Sequence, residues 1–277
     1  AATEAPAAAP AETEAAVEID PVAAEAEIRY ALGLLLDRNY IVEDVAQGGQ
    51  LPASSFVAMG MKNPDGTEFY TTSNSTEDNF DGYYDVSVEA FEANFASAVE
   101  TLKKYYAYDE ASQKFTNVPT LTYLYNTSEG HKAIAEYLQS ALAGIGITMN
   151  LENQEWNTFL DTRKSGDYSF ARNGWLADYN DPISFLDMWL TESGNNDCQF
   201  GKGAHASYAG YDGKTWAQSY DAIINEVKTT SDPAKRFELM HKAEDILMET
   251  GAICPIYYYT DIFMCSEKID GFFASPL

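Results

Sequence analysis

Between Leu121 and Leu151 the hydrophobic pattern changes period twice, and this restricts the fold more than any other feature of the chain. Leu121, Tyr123 and Tyr125 alternate as a half-buried strand does. Ile134, Leu138 and Leu142 then step by four behind Ser128, a suitable helix cap, with an end near Gly144. Ile145, Ile147, Met149 and Leu151 alternate again. A strand, helix and strand this close predict a parallel pair joined by a right-handed crossover, and so an open α/β sheet.

The pattern continues through Asn153–Asp187. Trp156, Phe159 and Leu160 recur at helical spacing up to Gly166, and Tyr168, Phe170 and Arg172 fall on one face of a short strand. Gly174 to Pro182 must then leave the strand as a sharply turning loop, because Pro182 disfavours helical geometry at Asp181. The loop at the carboxyl end of a strand is where open α/β sheets hold their ligands. Two arginines (Arg163, Arg172), Trp175 and Asp178 sit in this unit, and His131 sits in the first turn of the helix that follows the 121–125 strand.

The flanking regions are more ordinary. Ile28, Ala31, Leu32, Leu35 and Leu36 form the apolar face of a helix over 24–38, and a second short helix is expected over 40–46. Residues 50–86 read as loops. Ser87 is placed to cap a long helix whose face is Val88, Phe91, Phe95, Val99, Leu102 and Tyr106. Residues 191–213 form a long loop rich in small and polar residues, followed by a helix over 214–229. Ser231-Asp232-Pro233 starts another, which Gly251 ends. A strand over 253–259 has its expected hairpin partner at 262–265. Cys198, Cys254 and Cys265 match no zinc spacing and read as free, mostly buried thiols, although Cys254 and Cys265 could face each other across that hairpin.

The first twenty residues differ from the rest: nine of the first sixteen are alanine, and no basic residue occurs before Arg29. They read as a disordered tether (1–20) ahead of one folded unit (21–277). With 43 acidic against 17 basic residues, the net charge of −26 argues against nucleic acid, whose phosphates need clustered Lys and Arg. No apolar run is long enough to span a bilayer.

Catalytic signatures are lacking. There is no phosphate-binding GxxxxGK[ST] loop, no GxGxxG, no HExxH and no GxSxG elbow, so neither an enzyme nor a cofactor or metal site is expected. Charge recognition remains. Arg163 and Arg172 can each clamp a carboxylate with a planar fork, and Asp178 can pair with an ammonium, which would suit a zwitterion such as an amino acid or peptide. The same residues could equally pair with each other as an internal salt bridge.

Three ordered segments carry a family resemblance: NTSEGHKAIAEYLQ (126–139), NQEWNTFLDTRKSGDYSFARNGWLADYNDPISFLD (153–187) and CPIYYYTDIFM (254–264). They resemble the oligopeptide-binding proteins of ABC-type peptide importers, the extracytoplasmic solute-binding proteins of family 5. IRYALGLLLDRNYIVEDV (28–45) is similar to the helix that starts the second lobe in that family. The resemblance covers about residues 24–270. It implies the second lobe of a type II periplasmic-binding fold, with a mixed sheet flanked by helices and the first lobe missing. It also implies binding of short peptides for uptake. Asp178 would take the peptide ammonium, Trp175 and Leu176 would flank it, and Arg163, Arg172 and His131 would meet the carboxylate end. The implied partners are short peptides, a membrane permease and the first lobe. The implied location is extracytoplasmic, with any membrane contact made through a lipid anchor. Other readings are a dipeptide or metal-chelate binder with the same fold, and a free-standing adaptor or surface-interaction module.

Overall fold

The computed structural model describes residues 21–73, 80–203 and 213–273. The tether expected over 1–20 and residues 204–212 of the long loop lie outside the described residues. Helix α1 (Pro21–Leu34) buries Ala31 and Leu34, and α2 (Arg38–Tyr40), capped by the Asp37 carboxylate on the Tyr40 amide at 3.0 Å, runs into a π-helical segment, Ile41–Ala46. Strand β1 (Leu51–Pro52) then opens an irregular stretch in the 50–86 region expected to form loops.

The next helix departs from expectation at its start. A 3-10 turn, Val88–Ala90, precedes α3 (Phe91–Lys103), and the Ser87 hydroxyl donates back to Asp85 Oδ1 at 2.7 Å rather than capping the helix. Val88 is 66% exposed, so the buried face is made by Ala98, Val99 and Leu102. An antiparallel ribbon of β2 (Tyr108–Asp109) and β3 (Lys114–Phe115) leads to the central sheet.

That sheet has three strands in the order β5-β4-β6: β4 (Leu121–Asn126), β5 (Met149–Gln154) and β6 (Phe170–Ala171). Both pairings are parallel, with Leu121 opposite Met149 and Tyr123 opposite Phe170. Helix α4 (Glu129–Gly144) makes the crossover, and α5 (Trp156–Ser165) joins β5 to β6, ending at Gly166 with φ +77°. The returning strand begins at Met149, later than the alternation from Ile145 suggests. The amides of Ile145 and Ile147 both return to the Leu142 carbonyl, and Gly146 at φ +83° turns the chain, so these residues close the helix instead. Ser128 occupies the cap position of α4 in extended backbone, but its side chain makes no capping bond.

Beyond the short α6 (Ile183–Leu186), α7 (Trp216–Thr229) starts with a reciprocal capping box between Thr215 and Gln218. Helix α8 (Pro233–Glu249) has Asp232 accepting from the Lys235 amide and Pro233 in its first turn, as the sequence signal requires. The last strand, β7 (Tyr257–Tyr258), pairs antiparallel with β1, Leu51 opposite Tyr258. The expected hairpin over 262–265 is therefore a misreading: the partner of β7 comes from the start of the chain, and Ile262 and Met264 are 73% and 98% exposed. The cysteines form no disulfide. Cys198 and Cys254 are half-buried, but Cys265, beyond the last strand, is exposed and not the buried thiol expected.

Two apolar clusters hold these elements. One packs α7 and α8 with Phe69, Trp189 and Phe200, and the other packs α1, α3 and α4 with Ile147 and Met149. Phe56 and Ile253 touch both. The seam between the clusters opens onto the cavity described next. None of the helices among the described residues is long and apolar enough to cross a membrane.

Candidate functional site

A cavity of about 360 Å³ runs along that seam, a size that suits a small organic ligand. His131, Arg163, Arg172 and Trp175 line it, together with Tyr168, Asn173, Asp197 and Tyr257–Tyr259. Four of the six residues singled out from the sequence thus line one cavity. Leu176 and Asp178 are not among the lining residues: Leu176 is 70% exposed and Asp178 is exposed on the loop outside.

The sheet sets this arrangement. His131 enters from the first turn of α4, just past the carboxyl end of β4. The Arg172 amide donates to the Leu124 carbonyl at 2.8 Å, which extends the β6 ladder by one residue and fixes where Arg172 leaves the sheet. Arg163 lies in the last turn of α5. Gly174 allows the close approach that follows: a Cβ there would stand 2.8 Å from the Tyr259 hydroxyl and 3.0 Å from the Arg172 guanidinium.

The two arginines have opposite surroundings. Arg163 is 7% exposed; its Nη2 meets Asp197 Oδ2 at 2.7 Å and its Nη1 donates to Asn173 Oδ1 at 2.9 Å. The Tyr168 hydroxyl is within 3.0 Å of the Arg163 carbonyl and 2.9 Å of the Asp197 carbonyl, and ties the helix end to the loop. Burial pushes Asp197 above and Arg163 below their ordinary pKa, each opposed by the partner's charge. Arg172 is half-buried, donates to the Tyr259 hydroxyl at 2.7 Å and has no carboxylate partner among the described residues. Burial and then the Arg172 charge hold His131 below its ordinary pKa, which favours a neutral imidazole beside the guanidinium.

The loop that carries Trp175 is pinned by Ser184. Trp175 Nε1 donates to the Ser184 carbonyl at 2.7 Å, and the Asp178 amide donates to Ser184 Oγ at 2.8 Å. Asp178 keeps its carboxylate out of any ion pair among the described residues; the ion-paired acid of this loop is Asp181, held by Nη1 and Nη2 of Arg236 at 2.7 and 3.0 Å. An internal salt bridge is therefore present for one arginine, but its acid is Asp197, which sequence reasoning missed. Asp197 sits in an aperiodic polar loop that carries no register signal. Tyr259 had a weak signal in its alternation with Tyr257. No group of three His, Cys, Asp or Glu among the described residues is placed to hold a metal ion.

Comparison with known proteins supplies the family context. The family model for bacterial extracellular solute-binding proteins, family 5 Middle, matches residues 12–197. The dipeptide-binding protein DppE of Bacillus subtilis is 30% identical over 94% of this chain and 42% of its own length. The periplasmic oligopeptide-binding protein OppA of Salmonella typhimurium is 35% identical over 90% of this chain and 39% of its own. Among solved structures, Haemophilus influenzae OppA in complex with RPPGFSPFR superposes with a TM-score of 0.64 at 30% identity, covering 84% of this chain and 39% of that one. The chain thus spans about two fifths of the length of the relatives it matches.

Proposed function

Because this chain belongs to the family 5 bacterial extracellular solute-binding proteins, we propose that it forms one wall of a short-peptide-binding site and serves peptide capture for an ABC importer rather than catalysis. The observation that carries this reading is Arg172: a half-buried guanidinium in a cavity wall, oriented by Tyr259, with no internal acid to neutralise it among the described residues. Such a group favours a ligand carboxylate, which its planar fork can hold through two charge-assisted bonds. His131 adds a neutral hydrogen-bonding partner beside it. Asp178, exposed and outside any ion pair among the described residues, is assigned to the peptide ammonium, with Trp175 and Leu176 flanking it. In this reading residues 21–277 are the second lobe, a first lobe covers the ligand from the other side, residues 1–20 are a tether, and the protein works outside the cytoplasm on a lipid anchor.

Titration calorimetry with alanine peptides of two to five residues, each as free acid and as C-terminal amide, tests this. Free acids are expected to bind at least tenfold tighter than amides, and Arg172→Gln is expected to erase the difference. Equal binding of acids and amides by the parent chain would refute the assignment.

A second reading has one observation in its favour. Ile262, Met264, Ile269 and Phe273 leave a run of apolar side chains exposed after the last strand. A surface-interaction module would use such a face, and that role predicts no peptide binding in the same titration.

A further inference from the structure

We infer that Asp197 is a specificity-determining residue that removes Arg163 from carboxylate binding and converts its end of the cavity into a neutral, hydrogen-bonding subsite. This rests on the peptide-binding reading above. Both side chains are more than nine-tenths buried, at 9% and 8% exposure, and both line the cavity. Their ion pair at 2.7 Å has net charge zero. Arg163 Nη1 is further engaged by Asn173 Oδ1 at 2.9 Å and the Arg172 carbonyl at 3.4 Å. Among the described residues, two polar atoms of the pair are buried without a hydrogen-bond partner: the donor Arg163 Nε and the acceptor Asp197 Oδ1.

Buried polar groups seldom stay unpaired, because the lost hydration is not recovered elsewhere. A bare donor and a bare acceptor on a neutral pair match a group that offers both: a hydroxyl, a carboxamide or a peptide unit. They do not match a carboxylate. An anion placed against Arg163 would also face the Asp197 charge, and in a buried setting the repulsion offsets the attraction. Arg172, with no acid partner among the described residues, keeps its full charge for the ligand. Of the three arginines that line the cavity, Arg29 is engaged by the Thr250 carbonyl at 2.7 and 3.0 Å and by Glu25 at 3.4 Å; Arg163 and Arg172 therefore provide one carboxylate clamp between them, and Asp197 decides which of the two it is.

Asp197→Asn separates the roles. It keeps an acceptor beside Arg163 and removes the opposing charge. In the alanine-peptide series at pH 7, the acid-to-amide affinity ratio of Asp197→Asn should exceed that of the parent by at least tenfold at one or more peptide lengths, because a second carboxylate clamp becomes available. An unchanged ratio at every length, with peptides still bound, overturns the assignment to Asp197 and leaves the peptide reading intact. Binding of no peptide by either protein overturns both. Should Asp197→Asn fail to fold by far-ultraviolet circular dichroism, the double variant Arg163→Gln/Asp197→Asn, which leaves neither of the pair's buried charges, takes its place. It should lose affinity for acids and amides in equal proportion, and a selective loss of acid binding would show that Arg163 is a clamp after all.

Discussion

Glu244 offers a stability test whose magnitude follows from the structure. Its side chain on α8 is fully buried, with Oε1 accepting from the Phe56 and Val57 amides at 3.1 and 2.8 Å and Oε2 accepting from Ser73 Oγ at 2.6 Å. These bonds hold the 53–57 segment, from which Ala53, Ser55 and Phe56 line the cavity. Burial nevertheless wins over the three bonds and pushes the carboxyl from 4.5 up to about 7. Between those values the folded chain keeps a proton that the unfolded chain releases, so stability falls as pH rises through the window. The full loss attributable to Glu244 is about 3 kcal/mol, at 1.36 kcal/mol per pH unit of displacement.

Glu244→Gln removes the titration while retaining an acceptor for the two amides. Urea unfolding of parent and variant at pH 5 and pH 8 gives the difference at each pH. His241, one turn earlier on α8, is pushed down to about 4 by burial and works in the opposite sense: its contribution is lost as pH falls from 6.5. It is common to both proteins and cancels in the difference. The variant should gain about 2–3 kcal/mol relative to the parent between pH 5 and pH 8. A difference that does not change with pH, or that moves against the variant on the alkaline side, would refute the burial argument.

Asp178→Asn should weaken peptides with a free amine about three- to tenfold and leave N-acetylated peptides unaffected, because an exposed carboxylate gives a screened interaction; equal effects in calorimetry would sink its role. Gly146→Ala should destabilise the chain by about 2 kcal/mol or more, since φ is +83° and the new methyl would overlap the Phe115 carbonyl. Gly144→Ala, at a helical position with open space around it, should be neutral or slightly stabilising in the same urea titration.

Local chemistry was readable wherever one residue type has one strong preference. Asp232-Pro233 starts α8 and Gly166 ends α5, and the alternation of Leu121, Tyr123 and Tyr125 lies on the central strand, because caps, positive φ and period-two patterns act over a few residues. The same locality explains why Ile145 and Ile147 misled: a pair of alternating aliphatics suits a strand and a helix-closing turn equally well.

Residue chemistry in the sequence alone determined that the chain builds a parallel α/β sheet and that Arg163, Arg172, His131 and Trp175 gather near its carboxyl end. Which partner each charge takes was decided only by the tertiary structure. Asp197 reaches Arg163 from 34 positions along the chain, Tyr259 reaches Arg172 from 87, and β7 finds β1 across some 200. Such pairings depend on how distant segments share buried volume, and a local pattern carries no information about that. The two arginines have the same chemistry in the sequence, and become a neutral subsite and a carboxylate clamp in the proposed site only because one of them is buried beside an acid.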